Sequence, residues 1–437
     1  MPFSTLRQFF SHAELRQRLL YTLLFLALAR LGTFVLLPGI DIALFQGQQA
    51  SGILAWLDTL LGGSLTTFSV FSLGITPYIS ASILVQFASL SIPYFQRLQK
   101  EGPSGSAKLS QLTRLLTLAV APMQAMPFLV AMKDVPLLLP RYYFVPLALL
   151  LLTTGTACCL WLADRISDKG LGNGTSLLIS AGILSRLPLA LTGEATRHGS
   201  AGMLPFVLTL LVLLALILIV IAFMQAVRKL PLQNVKQATY MYAGAYQAPR
   251  QYLPVKVNVA GVMPIIMASM LSALPRLIAR LLRNKSDIAA YVNTVMSNVN
   301  GWQYNAVLAL LIFFATYFYT AVFFNPTEIA DTLKRNGSFI PGIKPGTPTA
   351  LYIDSILSRI LLPGSLFLAL IAVLPPLAYY AGVSEPFSRF FGGTSQLIII
   401  GALLDVVEKV QAYLFHHQYS QLAERPISAK KPVFHDF

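Results

Sequence analysis

Ten apolar stretches, each about as long as a lipid bilayer is thick, run through this chain of 437 residues. A helix rises about 1.5 Å per residue, so roughly twenty residues cross a hydrocarbon core about 30 Å thick. Lipid offers the backbone no hydrogen-bond partner, and such stretches must therefore be helices. We predict an all-α polytopic membrane protein whose ten transmembrane helices are Leu19–Leu37, Gly74–Ile92, Leu112–Met132, Phe144–Leu162, Thr175–Leu191, Met203–Val227, Val257–Leu277, Ala306–Phe324, Ile356–Ala378 and Thr394–Phe415.

Charged residues are scarce, yet their balance is strongly positive. They make up 11% of the chain against 55% hydrophobic residues, whereas soluble domains are about 25% charged. A water-facing surface of this size could not be built from so few charges. The net charge of +15 suggests nucleic acid, an anionic membrane surface or an acidic partner, and we expect most Lys and Arg to orient helices and contact lipid headgroups.

The distribution of Lys and Arg predicts the orientation of the chain. If the N-terminus is cytoplasmic, 22 of the 32 basic residues fall in inside segments and 9 in outside segments, and Arg30 lies within the first span. Positive charge concentrates on the cytoplasmic side of membrane proteins. We therefore predict that both termini are cytoplasmic, with residues 1–18 as an amphipathic segment and 416–437 as a tail. The basic cluster at 276–285 does not follow this rule.

Ten spans divide into two sets of five at the loop near residue 200. The predicted halves are 19–200 and 201–415. An odd number of spans in each half forces opposite orientations, which is the geometry of inverted-repeat transport proteins. No self-similarity between the halves is apparent in the sequence, so this prediction rests on topology.

Four of the spans, two in each half, carry several polar side chains and are candidates to line an interior path. Small and hydroxyl residues also serve ordinary helix packing in membranes, which remains an alternative. Isoleucines recur in these spans at a spacing of four residues, which places each pair on one helix face. These isoleucines are a candidate pore ring, although isoleucine is common in any span: Ile75, Ile79, Ile179, Ile183, Ile266 and Ile398.

Three segments outside the spans are unusual. Residues 51–65 are apolar but too short to cross, and Gly62 and Gly63 interrupt them, so a re-entrant or interfacial segment is expected. The loop 228–256 is long enough to form a hairpin. The loop 325–350 carries turn residues around the basic Lys334, Arg335 and Lys344. Both loops could be plain solvated connections, but long ordered loops usually carry function.

Catalytic motifs are absent from the sequence. Cys158 and Cys159 are adjacent within a span, which favours packing over a disulfide or metal site. Neither HExxH nor GxxxxGK[ST] occurs, and GPSG at 102–105 lies in a basic loop. A secondary transporter remains an alternative, for which Asp405 and Arg30 would be the intramembrane ionisable residues.

Six ordered stretches make the chain recognisable over nearly its whole length. They are ALARLGTFVLLPGID (27–41), FSLGITPYISASILVQ (71–86), GLGNGTSLLISAGI (170–183), LPVKVNVAGVMPIIMAS (253–269), FNPTEIADTLKRNGSFIPGIKPG (324–346) and FGGTSQLIIIGALLD (391–405). The chain resembles the SecY family of protein-translocase channels. The resemblance implies an hourglass pore between two inverted five-helix halves, with the six isoleucines as its constriction and 51–65 as a re-entrant plug.

The resemblance also implies a gate, partners and a location. The second and seventh spans would form a lateral gate with Gln86, Ser82 and Ser269. The family is a non-catalytic channel of the bacterial cytoplasmic membrane, without cofactors, that conducts secretory and membrane-protein nascent chains. Its implied partners are SecE, SecG, the SecA ATPase, the ribosome and anionic lipids, without sequence-specific nucleic acid, and energy comes from the ATPase, the ribosome or the proton-motive force.

The implied docking residues for the motor or ribosome are basic: Lys334, Arg335, Lys344, Arg250 and Lys256. Two departures from the family pattern affect this surface. Lys344 replaces the usual arginine, and an ammonium lacks the bidentate geometry of a guanidinium. The segment 228–237 is also poorer in basic residues than in most relatives.

Overall fold

The structure is a computed structural model that describes residues 13–39, 69–131, 140–198, 203–234, 251–258, 261–272, 275, 291–292, 294–296 and 298–424. The helices of the N-terminal half are α1 Ala13–Gly32, α2 Thr76–Ser91, α3 Pro93–Lys100, α4 Pro103–Ala131, α5 Arg141–Lys169, α6 Gly174–Leu184 and α7 Leu187–His198. The C-terminal half contains α8 Met203–Met224, β1 Val227–Asn234, β2 Gln251–Lys256, α9 Met263–Leu271, α10 Trp302–Phe323, α11 Pro326–Arg335, β3 Ser338–Phe339, α12 Thr347–Tyr380, α13 Glu385–Ser388 and α14 Gly393–Glu424.

The described residues contain five helical stretches that are long and apolar enough to cross a membrane. They are Arg141–Lys169, Gly174–Arg197 (α6 with α7), Met203–Met224, Trp302–Arg335 (α10 with α11) and Thr347–Tyr380. The pair Thr76–Ser89 and Pro93–Gln99, bent by 101°, would make a sixth span. Helices α1, α4 and α14 also lie over predicted spans, so the multi-pass helical architecture is confirmed while the count of ten stays a prediction.

The first and fifth predicted spans differ from the observed helices. Helix α1 ends at Gly32, where a Cβ atom would lie 2.2 Å from the ring of Phe71. The chain then makes a turn at 33–34 before Leu36 is bridged to Ser69. The fifth predicted span is divided into α6 and α7. Pro188 explains this break because it has no N–H with which to continue the helical ladder to the carbonyl of Leu184.

The seventh predicted span begins later than the sequence pattern indicates. Helix α9 starts at Met263, whereas the prediction started at Val257. The N–H of Val257 instead donates to the carbonyl of Ala226 at 2.9 Å and so extends the neighbouring strand ladder. Proline is well suited to the first turn of a helix, and Pro264 stands in that turn of α9.

The core of the C-terminal half forms where α8, α9, α10, α12 and α14 meet. Their contact buries Ile265, Ile312, Leu368 and Leu397 in one apolar cluster. The rings of Phe223 and Phe367 stack beside it with centroids 3.9 Å apart. The two halves meet along the contact of α6 with α14.

The two long loops predicted at 228–256 and 325–350 fold together into one small unit. Strands β1 and β2 pair antiparallel from Val227↔Lys256 to Leu232↔Gln251, which confirms the predicted hairpin. Strand β3 pairs with the end of β1, giving the order β2–β1–β3. We call these strands, α11, the connection 340–346 and the first turns of α12 the sheet unit. They enclose an apolar cluster of Leu230, Val255, Leu333, Ile340, Ile353 and Leu357.

Replacing Ile353 by Ala should destabilise the sheet unit by about 2–5 kcal/mol, since truncating a fully buried side chain loses transfer energy and leaves a cavity. Ile353 is 0% exposed. Amide hydrogen exchange of β1 and β2 measures the effect, and Leu351→Ala is the control because Leu351 is 71% exposed. Equal exchange in both variants would contradict the packing described here.

Candidate functional site

The structure brings four of the six predicted ring isoleucines into one apolar cluster. Ile183 is 0% exposed and Ile398 is 6% exposed, and Ile179 and Ile266 pack against them. The cluster joins α6 of the N-terminal half to α9 and α14 of the C-terminal half. We call Ile179, Ile183, Val262, Ile266 and Ile398 the collar.

The other two predicted ring residues lie in a neighbouring cluster. Ile75 is buried against Cys159 and Ala163 of α5, and Ile79 packs at the edge of the same group. Leu178, next to Ile179 on α6, also packs in this second cluster. The six isoleucines therefore lie in two apolar clusters that the neighbouring residues Leu178 and Ile179 connect along α6.

A nine-residue repeat that the sequence analysis missed explains how α2 and α9 begin. GITPYISAS at 74–82 and GVMPIIMAS at 261–269 share Gly, Pro, Ile, Ala and Ser at equivalent places. Gly74 and Gly261 both have positive φ, at 49° and 65°. The residues that follow them cap the helices with nearly equal backbone angles, φ −94° and ψ −1° against φ −93° and ψ −14°. Local self-similarity of the two halves is thus present in both sequence and conformation.

The repeat assigns equivalent roles to pairs of residues in the two halves. Ile79 corresponds to Ile266, and both are ring residues. Ile75 corresponds to Val262, which the sequence analysis did not select and which the structure places in the collar. Comparing the two segments position by position would have found Val262.

The edge between α2 and the helices α9 and α10 contains the predicted lateral gate. Ile83 and Phe87 of α2 pack against the buried cluster of the C-terminal half, and the rings of Phe87 and Phe318 lie 5.7 Å apart. The Ser80 hydroxyl approaches the Met270 sulfur at 3.8 Å and accepts a hydrogen bond from the Gln124 amide at 2.7 Å. We call this contact the gate edge. Among the described residues its contacts are mostly apolar.

The three predicted gate residues lie on α2 and α9, but the contacts across the edge described above come from other side chains. Ser82 and Gln86 are half-buried on α2. Ser269 donates to the carbonyl of Ile265 at 2.8 Å within its own helix. Ser80, two residues before Ser82 and on a different face of the same helix, makes the polar contact across the edge instead.

Four of the five predicted docking residues lie exposed on the sheet unit: Lys256, Lys334, Arg335 and Lys344. Arg250, like the predicted plug at 51–65, lies outside the described residues. The side chain of Asn325 caps α11 by accepting from the Thr327 N–H at 3.2 Å, and Lys334 and Arg335 stand in the last turn. Cations are favourable at that end because the helix dipole is negative there.

The described residues hold no group of three or more His, Cys, Asp or Glu side chains that could bind a metal ion. Asp405, a candidate coupling residue under the transporter interpretation, instead accepts a hydrogen bond from the Asn173 backbone N–H at 2.8 Å. Its carboxylate therefore serves as a structural partner of the turn before α6.

Replacing Ile398 by Asn should raise the resting ion leak of the reconstituted protein roughly tenfold to hundredfold. A buried amide without a partner costs about 1–3 kcal/mol, and hydration of an opened collar relieves that cost. Conductance of proteoliposomes without substrate measures the leak. Leu403→Asn, at an exposed position of the same helix, should leave the leak near the wild-type value. Equal leaks in the two variants would show that the collar does not lie on the path that ions take.

Comparisons with known proteins agree on one family. The sequence model of the SecY family matches residues 69–407. The chain is 37% identical to the protein translocase subunit SecY of Corynebacterium glutamicum over 447 residues, covering 96% of this chain and 99% of the relative. It is 37% identical to that of Mycobacterium tuberculosis, covering 93% and 96%, and 35% identical to that of Chlamydia trachomatis, covering 98% and 100%.

Solved structures with the same fold are more distant in sequence. The structure of a protein-conducting channel matches with a TM-score of 0.63 at 16% identity, covering 95% of each chain. Sec61 in the canine ribosome–channel complex matches with a TM-score of 0.59 at 15% identity, again covering 95% of each. At this identity the two structures show the fold alone.

Proposed function

We propose that this chain, which belongs to the SecY family, is the channel-forming subunit of a protein translocase. It conducts unfolded secretory polypeptides across the membrane and releases hydrophobic segments sideways into lipid. The observation that carries this proposal is the collar, where branched aliphatic side chains from both halves meet. The chain itself performs no chemistry.

An apolar collar suits this task because of how water and peptide behave in it. A narrow apolar constriction excludes ions by dewetting when it is empty, and it offers no polar site that would trap a passing chain. Isoleucine and valine are stiff at χ1, so the side chains of the collar form a defined surface. The secondary-transporter alternative is not favoured, because it requires a polar binding site at this level.

Lateral release would take place at the gate edge. An apolar segment gains about 0.8 kcal/mol for each CH₂ group it moves from water into lipid, so it leaves the pore spontaneously once the edge parts. The apolar contacts of Ile83 and Phe87 across this edge support that route. Signal sequences would open the gate edge because they too move from water into lipid, and they would displace the plug.

The proposed location of the chain is the bacterial cytoplasmic membrane, with both termini in the cytoplasm. The excess of Lys and Arg in the inside segments supports this orientation. Under it, the sheet unit faces the cytoplasm, where its exposed lysines and Arg335 would dock a SecA ATPase or a ribosome. SecE and SecG would complete the complex, and anionic lipids would contact the remaining basic residues.

Photo-crosslinking tests the proposed function most sharply. A photoreactive amino acid at Ile183 or Ile266 should label a stalled secretory chain, while the same probe at Leu211, exposed on α8, should label lipid. Labelling of the chain at the collar positions should depend on a functional signal sequence. A secretory chain that is labelled at neither collar position would reject the channel proposal.

Reversing charge on the sheet unit tests the docking proposal. Lys334→Glu with Arg335→Glu should lower motor-dependent translocation about tenfold, because two attractive contacts with an acidic partner become repulsive. Translocation by inverted membrane vesicles with ATP and purified motor measures the effect. The control is Lys108→Glu, at an exposed position of α4 away from the sheet unit. Equal rates in both variants would place the docking surface elsewhere.

A further inference from the structure

A turn of closely fitted glycines joins the two halves at one end of α6. The segment Gly170–Gly174 connects α5 to α6, and a Cβ atom on Gly174 would lie 1.9 Å from the Ala163 carbonyl. Gly172 has φ +92°, and a Cβ atom there would lie 2.7 Å from Val406 of α14. Only glycine allows both the conformation and the close approach to the other half.

Hydrogen bonds fasten this turn to two helices. The Asp405 carboxylate of α14 accepts from the Asn173 N–H at 2.8 Å, and Lys409 lies 3.8 Å from the same carboxylate. The Leu171 N–H donates to the Thr22 hydroxyl of α1 at 2.9 Å. Hydrogen bonds to an ionised acceptor are roughly twice as strong as neutral ones. Asp405 is therefore a charged link between the two halves, and near it the Tyr413 hydroxyl of α14 donates to the Glu14 carboxylate of α1.

A second carboxylate joins the halves at the opposite end of the same contact. Glu194 of α7 is 0% exposed and accepts from the Ser384 N–H at 2.9 Å, just before α13. Ala190, Phe387 and Phe391 pack around this link. We call the contact of α6 and α7 with α13 and α14 the seam.

The two carboxylates bracket the collar along the seam. Asn173, Ile183 and Glu194 follow one another at intervals of about ten residues, and ten helical residues span about 15 Å. Their partners Asp405, Ile398 and Ser384 follow in the reverse order on the facing elements. The seam thus has a polar bond at each end and an apolar contact in the middle.

The gate edge lacks comparable bonds among the residues described. Its polar contact is the neutral Ser80–Met270 pair at 3.8 Å, and the rest is apolar packing. The two edges of the interface between the halves are therefore unequal, because carboxylate bonds hold one of them and side-chain packing holds the other.

We propose that Asp405 and Glu194 are positioning residues that keep the seam closed, so that the collar opens only by separation of the gate edge. This inference rests on the proposed function. It assigns the direction of opening to two carboxylate–backbone bonds outside the collar, one at each end of the seam.

The test combines seam variants with a locked gate. The pair Ser80→Cys and Met270→Cys, in a chain with Cys158→Ala and Cys159→Ala, locks the gate edge when a short bifunctional thiol reagent joins the two cysteines. With the native seam, this cross-link should abolish translocation and leave a sealed channel. With Asp405→Leu and Glu194→Leu added, the locked protein should conduct ions at least about tenfold more than the locked parent, because the seam parts instead.

Conservative and matched variants separate positioning from general damage. Asp405→Asn with Glu194→Gln keeps a carbonyl acceptor at each site and should restore most of the seal. Asp168→Leu with Glu385→Leu removes two carboxylates near the same ends that do not bridge the halves, and should leave the locked channel sealed. An equally sealed locked channel with the Leu pair at 405 and 194 would overturn the inference. The proposed function would fail separately, if the unlocked parent did not translocate precursor.

Discussion

The packing of branched aliphatic side chains between the two halves is the contact on which the rest of this structure depends. Ile183 of the N-terminal half and Ile398 of the C-terminal half are buried in the same apolar cluster. Such packing is non-directional, so it can seal when the halves are together and re-form after they part without leaving unpaired polar groups. A polar contact at this place would either leak water or hold the passing chain. The directional bonds of Asp405 and Glu194 lie at the ends of the seam, away from the collar.

The repeat at 74–82 and 261–269 gives this contact its geometry. In each half a glycine with positive φ, a cap residue and a proline start a helix at the level of the collar. Irregular backbone at membrane depth is tolerated where protein buries it or where it lines a cavity. The same device therefore presents Ile79 in one half and Ile266 in the other from the first turn of a helix. Ala81 and Ala268, at equivalent places, are both fully buried and allow close packing behind that turn.

Hydrophobic length and charge predicted the class of protein, the approximate places of most spans and the hairpin of the sheet unit, because these depend on local composition.

Tertiary contacts determined the features that the sequence analysis did not predict. Position 32 at the end of α1 must be glycine because Phe71, distant in sequence, occupies the space where a Cβ atom would lie. The late start of α9 depends on a strand bond from Val257 to Ala226. Asp405 would have been a coupling residue under the transporter alternative, whereas its carboxylate accepts from a backbone N–H 232 residues away in the chain. The sequence analysis did not select Val262 because a nine-residue match is short. The role of Val262 follows only from its place in the cluster with Ile183 and Ile398.

The most direct test of the collar is the structure of this channel, in its complex, halted with a secretory precursor inside. The account predicts an extended polypeptide that passes between Ile183 and Ile266, with those side chains separated and the Asp405–Asn173 bond still made. A precursor that crosses by another route while the two isoleucines remain packed together would contradict it.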